Sequence, residues 1–324
     1  MEHFSLPELE TTTELVRTML PATPQYAWPL LARRTGAEVW VKHENHTPIG
    51  AFKLRGGVTY MDWLKRSHAG AGGVISATRG NHGQSIALAG WRAGIPVTIL
   101  VPEGNSAEKN AAMRSLGAEL IVHGRDFDAA KEHAAHLARE RKLHFVPSFH
   151  PLLVKGVATY ALEMLRAVPG LQTVYVPIGM GSGICGLIAV RDLLGAKAEI
   201  VGVVAETAPA VALSVAAGRP VATPEARTFA DGIACRDPDP EAVAIIAKGA
   251  ARIVRVSEDE IAEAMRNLYT ATHNIAEGAG AAPLAALLKE RAAMRGRCVG
   301  LILSGGNIDS GVLARVLEGK TPSA

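Results

Sequence analysis

From residue 37 onward, short apolar runs alternate with stretches of helical periodicity, and this alternation is what most narrows the folds open to the chain. Strands are expected at 38–42, 73–77, 96–101, 119–122, 173–178, 199–204 and 299–303, with helices such as 81–93, 106–116 and 127–141 between them. Regular exchange of strand and helix predicts an α/β fold of parallel-rich sheets flanked by helices on both faces. The first of these helices stops at Gly94 before Pro96, and the second follows Asn105 with Glu108 in capping-box spacing. At 324 residues the chain has material for two domains with cores of their own. The proline-flanked stretch 144–153 suits a crossing between them. The expected division is a large domain, 1–72 and 149–324, with a small domain, 73–148, inserted into it.

Charge and cysteine usage remove several classes of function. Lys and Arg number 34 against 31 Asp and Glu, a formal net charge of +3, and the basic residues are scattered. Neither nucleic acid nor an anionic membrane finds an electrostatic footprint here, so a small molecule is the expected partner. Cys185, Cys235 and Cys298 form no CxxC pair and none lies at metal-ligand spacing from a histidine, which predicts a reducing compartment and no metal. The opening MEHFSLPELE is acidic where a signal peptide is basic, and no run of 18 apolar residues occurs, so a cytoplasmic protein without a membrane span is expected.

Open parallel sheets bind ligands at the carboxyl ends of their strands, and the chemically suggestive residues follow the strands. In GAFKLRGG, Lys53 sits between Phe52 and Leu54 just after the turn at 47–50. A desolvated lysine has a lowered pKa and forms imines as the neutral amine; a snorkelling surface lysine at a helix start is the ordinary alternative. In SATRGNHGQS, the amides of Thr78, Arg79, Gly80, Asn81 and His82 at a helix N-terminus suit a carboxylate, with Asn81 as a further donor or simply the helix cap. In PIGMGSGICG, the segment Gly179, Met180, Gly181, Ser182 and Gly183 lets backbone amides approach a phosphate. Gly181, Gly183 and Gly186 also spell GxGxxG, with Glu206 20 residues further on, so a nicotinamide dinucleotide satisfies the local rule as well. In LILSGGNID, Ser304 can partner a ring nitrogen while Gly305 and Gly306 admit a flat ligand.

The conjunction discriminates where single motifs do not. An imine-forming lysine, a phosphate cup, an oxygen partner and a ring-nitrogen partner match the four handles of pyridoxal 5'-phosphate, and a nicotinamide needs no such lysine. GAFKLRGG, TRGNHGQ, GMGSG and LSGGN, in this order, resemble the pyridoxal-phosphate fold type II enzymes, tryptophan synthase β-subunit-like, and within them the threonine/serine dehydratase and serine racemase branch. The likeness runs from Thr23 to Asp309 and includes FHPLLVKGVATYALE and TFADGIA.

The resemblance implies that Lys53 is the Schiff-base lysine and acid/base, that Phe52 flanks the ring, and that Asn81 bonds the 3-hydroxyl. It further implies that residues 179–183 hold the phosphate, that Ser304 meets the pyridine nitrogen, and that the turn at 78–82 holds the substrate carboxylate. The implied reaction is α,β-elimination from a threonine- or serine-like β-hydroxy amino acid, releasing a 2-oxo acid and ammonia, in a catabolic role; a homodimer is expected from the base rate of oligomers alone. A β-replacement synthase, an amino-acid racemase and, in another class, an NAD(P)-dependent oxidoreductase are the alternatives. The chain departs from the family pattern at Ala51, where serine is usual, and at Arg79, where serine racemases place the serine acid/base. A guanidinium is a poor proton shuttle, so racemisation is not expected; pairing with a distal substrate carboxylate is one reading of Arg79, a surface ion pair the other. Val204 and Ala210 stand where relatives with a divalent cation carry acids, Glu277 resembles a family glutamate near the cofactor ring, and only a short tail follows Asp309, so no regulatory domain is expected.

Overall fold

Val-, Ile- and Leu-rich runs form the strands of two separate sheets in the computed structural model, which describes residues 4–67 and 72–323. In chain order the strands are β1 Gln25–Ala27, β2 Glu38–His43, β3 Val74–Ala77, β4 Val97–Val101, β5 Glu119–Val122, β6 His144–Phe145, β7 Thr173–Pro177, β8 Glu199–Ala205, β9 Arg252–Val256 and β10 Cys298–Leu303. One sheet has the order β1-β2-β10-β7-β8-β9 and the other β5-β4-β3-β6. Every neighbouring pair is parallel except β1 and β2.

Parallel strands buried on both faces must be apolar at successive positions, and these are. In β7, Val174 and Val176 pack into one core while Tyr175 packs into the other; in β10, Ile302 faces one way and Leu301 and Leu303 the opposite way. β3 and β4 repeat the pattern, with Val74 and Ile99 on one face and Ile75 and Leu100 on the other. The smaller sheet uses four strands consecutive in the chain, whereas the larger inserts β10, the last strand, between β2 and β7.

Four details differ from the sequence expectation. The helix expected at 106–116 runs over Ala107–Ser115 and is capped by Ser106, whose Oγ accepts from Lys109 N at 3.0 Å; Asn105 is not the cap. Glu108 closes no capping box and instead accepts from Ser310 N and Oγ at 2.8 and 2.6 Å. β9 lacked an expected strand because RIVRV is only partly buried at the sheet edge and breaks its apolar run with arginines. Short β1 and β6 escape for want of length.

The Lys53–Ser67 helix is anchored by buried charges. Arg55, fully buried, donates from Nε and Nη2 to Glu44 at 2.8 and 3.0 Å and from Nη1 and Nη2 to Glu163 at 2.9 and 2.8 Å. Lys42 Nζ completes the set with Glu163 at 2.7 Å and the Thr23 carbonyl at 2.8 Å. The Pro151–Ala167 helix can approach this close because residue 156 is glycine; a Cβ there would lie 2.3 Å from the Arg55 carbonyl oxygen. Removing one member of a buried ion set strands its partner, so Glu44→Ala is expected to lower unfolding free energy by about 3–5 kcal/mol in urea titration. A loss below about 1 kcal/mol would show that Arg55 does not depend on Glu44 for its charge balance.

Candidate active site

The ends of β2, β10 and β7 lie side by side in the larger sheet, and the end of β3 faces them from the smaller one. Together they line a cavity of about 660 Å³. Phe52 and Lys53 enter from the segment after β2, Thr78 to His82 from β3, Gly179 to Gly183 from β7, and Ser304 from β10. The structure thus brings every expected site residue to one cavity wall or another.

Lys53 is the first residue of its helix, set there by the turn in which Gly50 N donates to Thr47 O at 2.8 Å with Gly50 at φ 66°. A left-handed φ of this size favours glycine. Ser85 Oγ, on the Asn81–Ala93 helix, donates to the Lys53 carbonyl at 2.7 Å and fixes the backbone there. The side chain does not snorkel outward: Nζ donates to Ser182 Oγ at 3.1 Å and lies 4.9 Å from the centre of the Phe52 ring. Burial without an acidic partner pulls its ammonium from the ordinary lysine value down to about 8.

Ser182 belongs to the glycine loop that starts the Ser182–Leu193 helix. Gly181, its N-cap, has φ 99°, and a Cβ on Gly179 would lie 2.4 Å from the Gly232 carbonyl oxygen, so both positions exclude larger residues. Tyr160 OH donates to the Gly183 carbonyl at 2.8 Å and holds the loop from below. The first helical turn carries no acid, and its leading amides have no partner within the helix, which is the donor set an anionic phosphate requires.

Asn81 begins the Asn81–Ala93 helix, and Gly80 is the cap residue, so Asn81 is not spent on capping. Its Nδ2 donates to Glu277 Oε1 at 2.7 Å, and its Oδ1 accepts from Asn307 Nδ2 at 2.8 Å. Glu277 is buried, which raises its carboxyl to about 7 against the opposing pull of Lys109. Lys109 Nζ lies 3.9 Å from Glu277 Oε2 and 2.7 Å from Asp231 Oδ2. Lys109 and Asp231 line the cavity too, yet the sequence reading passed over them. The available signal was TFADGIA, whose Asp231 meets a lysine from the buried face of a helix 122 residues earlier.

The remaining residues divide between interior and rim. His82 is buried, its Nε2 has no hydrogen-bond partner, and burial aided by Lys53 lowers its pKa to about 3, so the ring is neutral. Ser304 is buried, its carbonyl accepts from Phe52 N at 3.0 Å, and the residue lines the cavity. Arg79 is exposed at the cavity, and among the described residues no ion pair engages it. Glu206, the acid a dinucleotide site would need beside the glycine loop, lies outside the cavity lining and pairs with Lys289 at 3.2 Å. Among the described residues no helix is long and apolar enough to cross a membrane.

Comparison with known proteins places the chain among relatives. Residues 16–305 match the family model for pyridoxal-phosphate dependent enzymes. An L-threonine ammonia-lyase of Geobacter sulfurreducens is 38% identical over 289 residues, 89% of this chain and 71% of the relative. One from Thermotoga maritima is 32% identical over 97% of this chain and 78% of its own length. The processed form of threonine deaminase isoform 2 from Solanum lycopersicum superposes with a TM-score of 0.88 at 29% identity, covering 97% of this chain and 94% of that one.

The depressed Lys53 value has a direct readout. A folded-state pKa of about 8 makes the amine half neutral at that pH, so acylation of Lys53 in cofactor-free protein, followed by peptide mass spectrometry, is expected to titrate with a midpoint near 8. A midpoint near the usual lysine value of about 10.4 would show Nζ to be solvated.

Proposed function

The chain belongs to the pyridoxal-phosphate dependent enzymes, and on that premise we propose that it is an ammonia-lyase acting on a threonine- or serine-like β-hydroxy-α-amino acid. The observation that carries the reading is the Lys53 amine, desolvated and 3.1 Å from the hydroxyl of the phosphate-suited glycine loop. The residues present fit the cofactor. The amides of 179–183 and the helix they open would hold its phosphate, Asn81 would serve its 3-oxygen, Phe52 would flank its ring, and Ser304 would partner its ring nitrogen. When bound, pyridoxal phosphate supplies the electron sink for charge left at the substrate's α-carbon.

The chain's own groups do the rest. Burial favours the neutral form of the Lys53 amine, which is the form able to take the α-proton. Thr78 N and Gly80 N are taken by the Leu100 carbonyl and Thr78 Oγ1, both at 3.0 Å, so the amides of Arg79, Asn81 and His82 are the ones left to orient the substrate carboxylate, and neutral His82 adds no competing charge. A hydroxyl at Ser304, unlike a carboxylate, does not enforce protonation of the ring nitrogen, so loss of the β-hydroxyl is favoured over transamination. Hydrolysis of the released product gives a 2-oxo acid and ammonia. Racemisation is disfavoured by Arg79, whose guanidinium transfers protons poorly. The position of Glu206 argues against a dinucleotide.

The same reading treats 73–148 as a small domain inserted into a large one of 1–72 and 149–324, in a cytoplasmic homodimer. Consecutive strands in the smaller sheet support the first, and exposed Tyr26, Leu30, Tyr269 and Ile275 on the larger unit supply apolar surface for the last. One observation favours a second choice of substrate: Arg79, exposed at the cavity and outside any described ion pair, suits a distal carboxylate such as that of 3-hydroxyaspartate.

Purified protein loaded with pyridoxal phosphate is expected to show a visible band that borohydride fixes to Lys53, and to release 2-oxo acid from threonine or serine. Lys53→Ala is expected to lower kcat by roughly 10²–10⁴-fold; a loss under tenfold would remove Lys53 from the reaction. For Arg79, the kcat/KM ratio of 3-hydroxyaspartate to threonine is measured before and after Arg79→Ser. A drop of roughly tenfold or more in that ratio supports the diacid, and an unchanged ratio supports the neutral substrate.

A further inference from the structure

Asn307 is the last residue of the LSGGN motif, and no role has been given to it above. Its Nδ2 donates to two acceptors: the Ile49 carbonyl at 2.7 Å, in the turn that precedes Lys53, and Asn81 Oδ1 at 2.8 Å. Both hydrogens of the amide nitrogen are therefore committed. Gly50 must be glycine to receive this side chain, because a Cβ there would lie 2.7 Å from Asn307 Oδ1. One amide thus touches the lysine turn and the asparagine of the β3 loop while itself belonging to the serine loop.

The consequence falls on Asn81. A free asparagine amide can present either its oxygen or its nitrogen in a given direction, and the two ends differ only in hydrogen bonding. Here one end meets a donor, Asn307 Nδ2, and the other meets an acceptor, Glu277 Oε1 at 2.7 Å. Reversing the Asn81 amide would set nitrogen against nitrogen and oxygen against carboxylate. The orientation is therefore decided from both sides, and one N–H of Asn81 Nδ2 remains for a ligand.

We propose that Asn307 is a positioning residue: by donating to Asn81 Oδ1 it holds the Asn81 amide with Nδ2 presented to the cofactor oxygen. This rests on the cofactor reading above. The side chain is not what joins the loops, because backbone bonds do so independently: Phe52 N to Ser304 O at 3.0 Å, Gly306 N to Gly50 O at 2.9 Å and Glu277 N to Gly305 O at 3.1 Å. A substitution at 307 consequently changes the donor offered to Asn81 while the loop pairing persists.

The test is a double-mutant cycle on the holoenzyme, with Asn307→Asp, Asn81→Ala and both together, read by the position of the visible band and by the dissociation constant of pyridoxal phosphate. Asn307→Asp has nearly the shape of the native residue and accepts where the native residue donates. It is expected to move the band and to weaken cofactor binding roughly tenfold. In the Asn81→Ala background the same substitution is expected to change little, because its target is gone. Asn307→Ala, which offers Asn81 no donor, serves if the aspartate variant does not fold, with the same expectation. The proposal is overturned if Asn81→Ala alters band and affinity while substitution at 307 alters neither, or if the two effects simply add. Absence of a visible band in the wild-type protein would instead overturn the cofactor reading on which the proposal rests.

Discussion

The site depends on one topological constraint, the pairing of β10 between β2 and β7. In a parallel sheet the carboxyl ends of neighbouring strands open on the same edge, so this placement lines up the turn leading to Lys53, the Ser304 loop and the glycine loop. None of the three meets the others through local sequence. The backbone bonds between 50–52 and 304–306 then set the lysine against the serine at fixed height, and the β3 loop arrives from the other sheet together with Lys109.

Much of this was readable from residue order. Continuous apolar runs with glycine-rich loops behind them announce parallel strands and their ligand edge, and Asn81–Ala93 and 119–122 appear where periodicity places them. Lys53 was readable because a lysine between two apolar residues at a helix start has few comfortable places to go. What stayed hidden depends on distant partners. Lys109 looks like any helical lysine until Asp231 and Glu277 are seen beside it, and Glu108 has capping spacing but serves Ser310 instead. Asn307 stands within a recognisable motif, yet its bonds run to residues 226 and 258 positions away. Spacing rules describe neighbours along the chain, whereas these contacts are decided by how two sheets face each other.

The electrostatics of the cavity and of its foundation are opposite in design. Beneath it, Arg55, Glu44, Glu163 and Lys42 satisfy one another's charges away from water, and burial without a partner is avoided. At the cavity itself, Lys53 and His82 are desolvated without acidic partners, and both are driven toward their neutral forms. Glu277 is intermediate, with burial raising it and Lys109 opposing the rise. A rigid, charge-matched base thus carries a lysine and a glutamate drawn toward neutral pH and a histidine held uncharged.

The central position of the final strand also imposes an order of assembly on the nascent polypeptide. Strands β3 to β6 are neighbours in both chain and space, and can pair as soon as they leave the ribosome. β2, by contrast, waits with its inner edge open until residues 298–303 have been synthesised, since its register runs from Glu38 with Cys298 to His43 with Leu303. The ligand-binding edge is therefore completed only once residue 303 has emerged, and until then β2 and β7 each keep an unpaired edge that invites wrong partners.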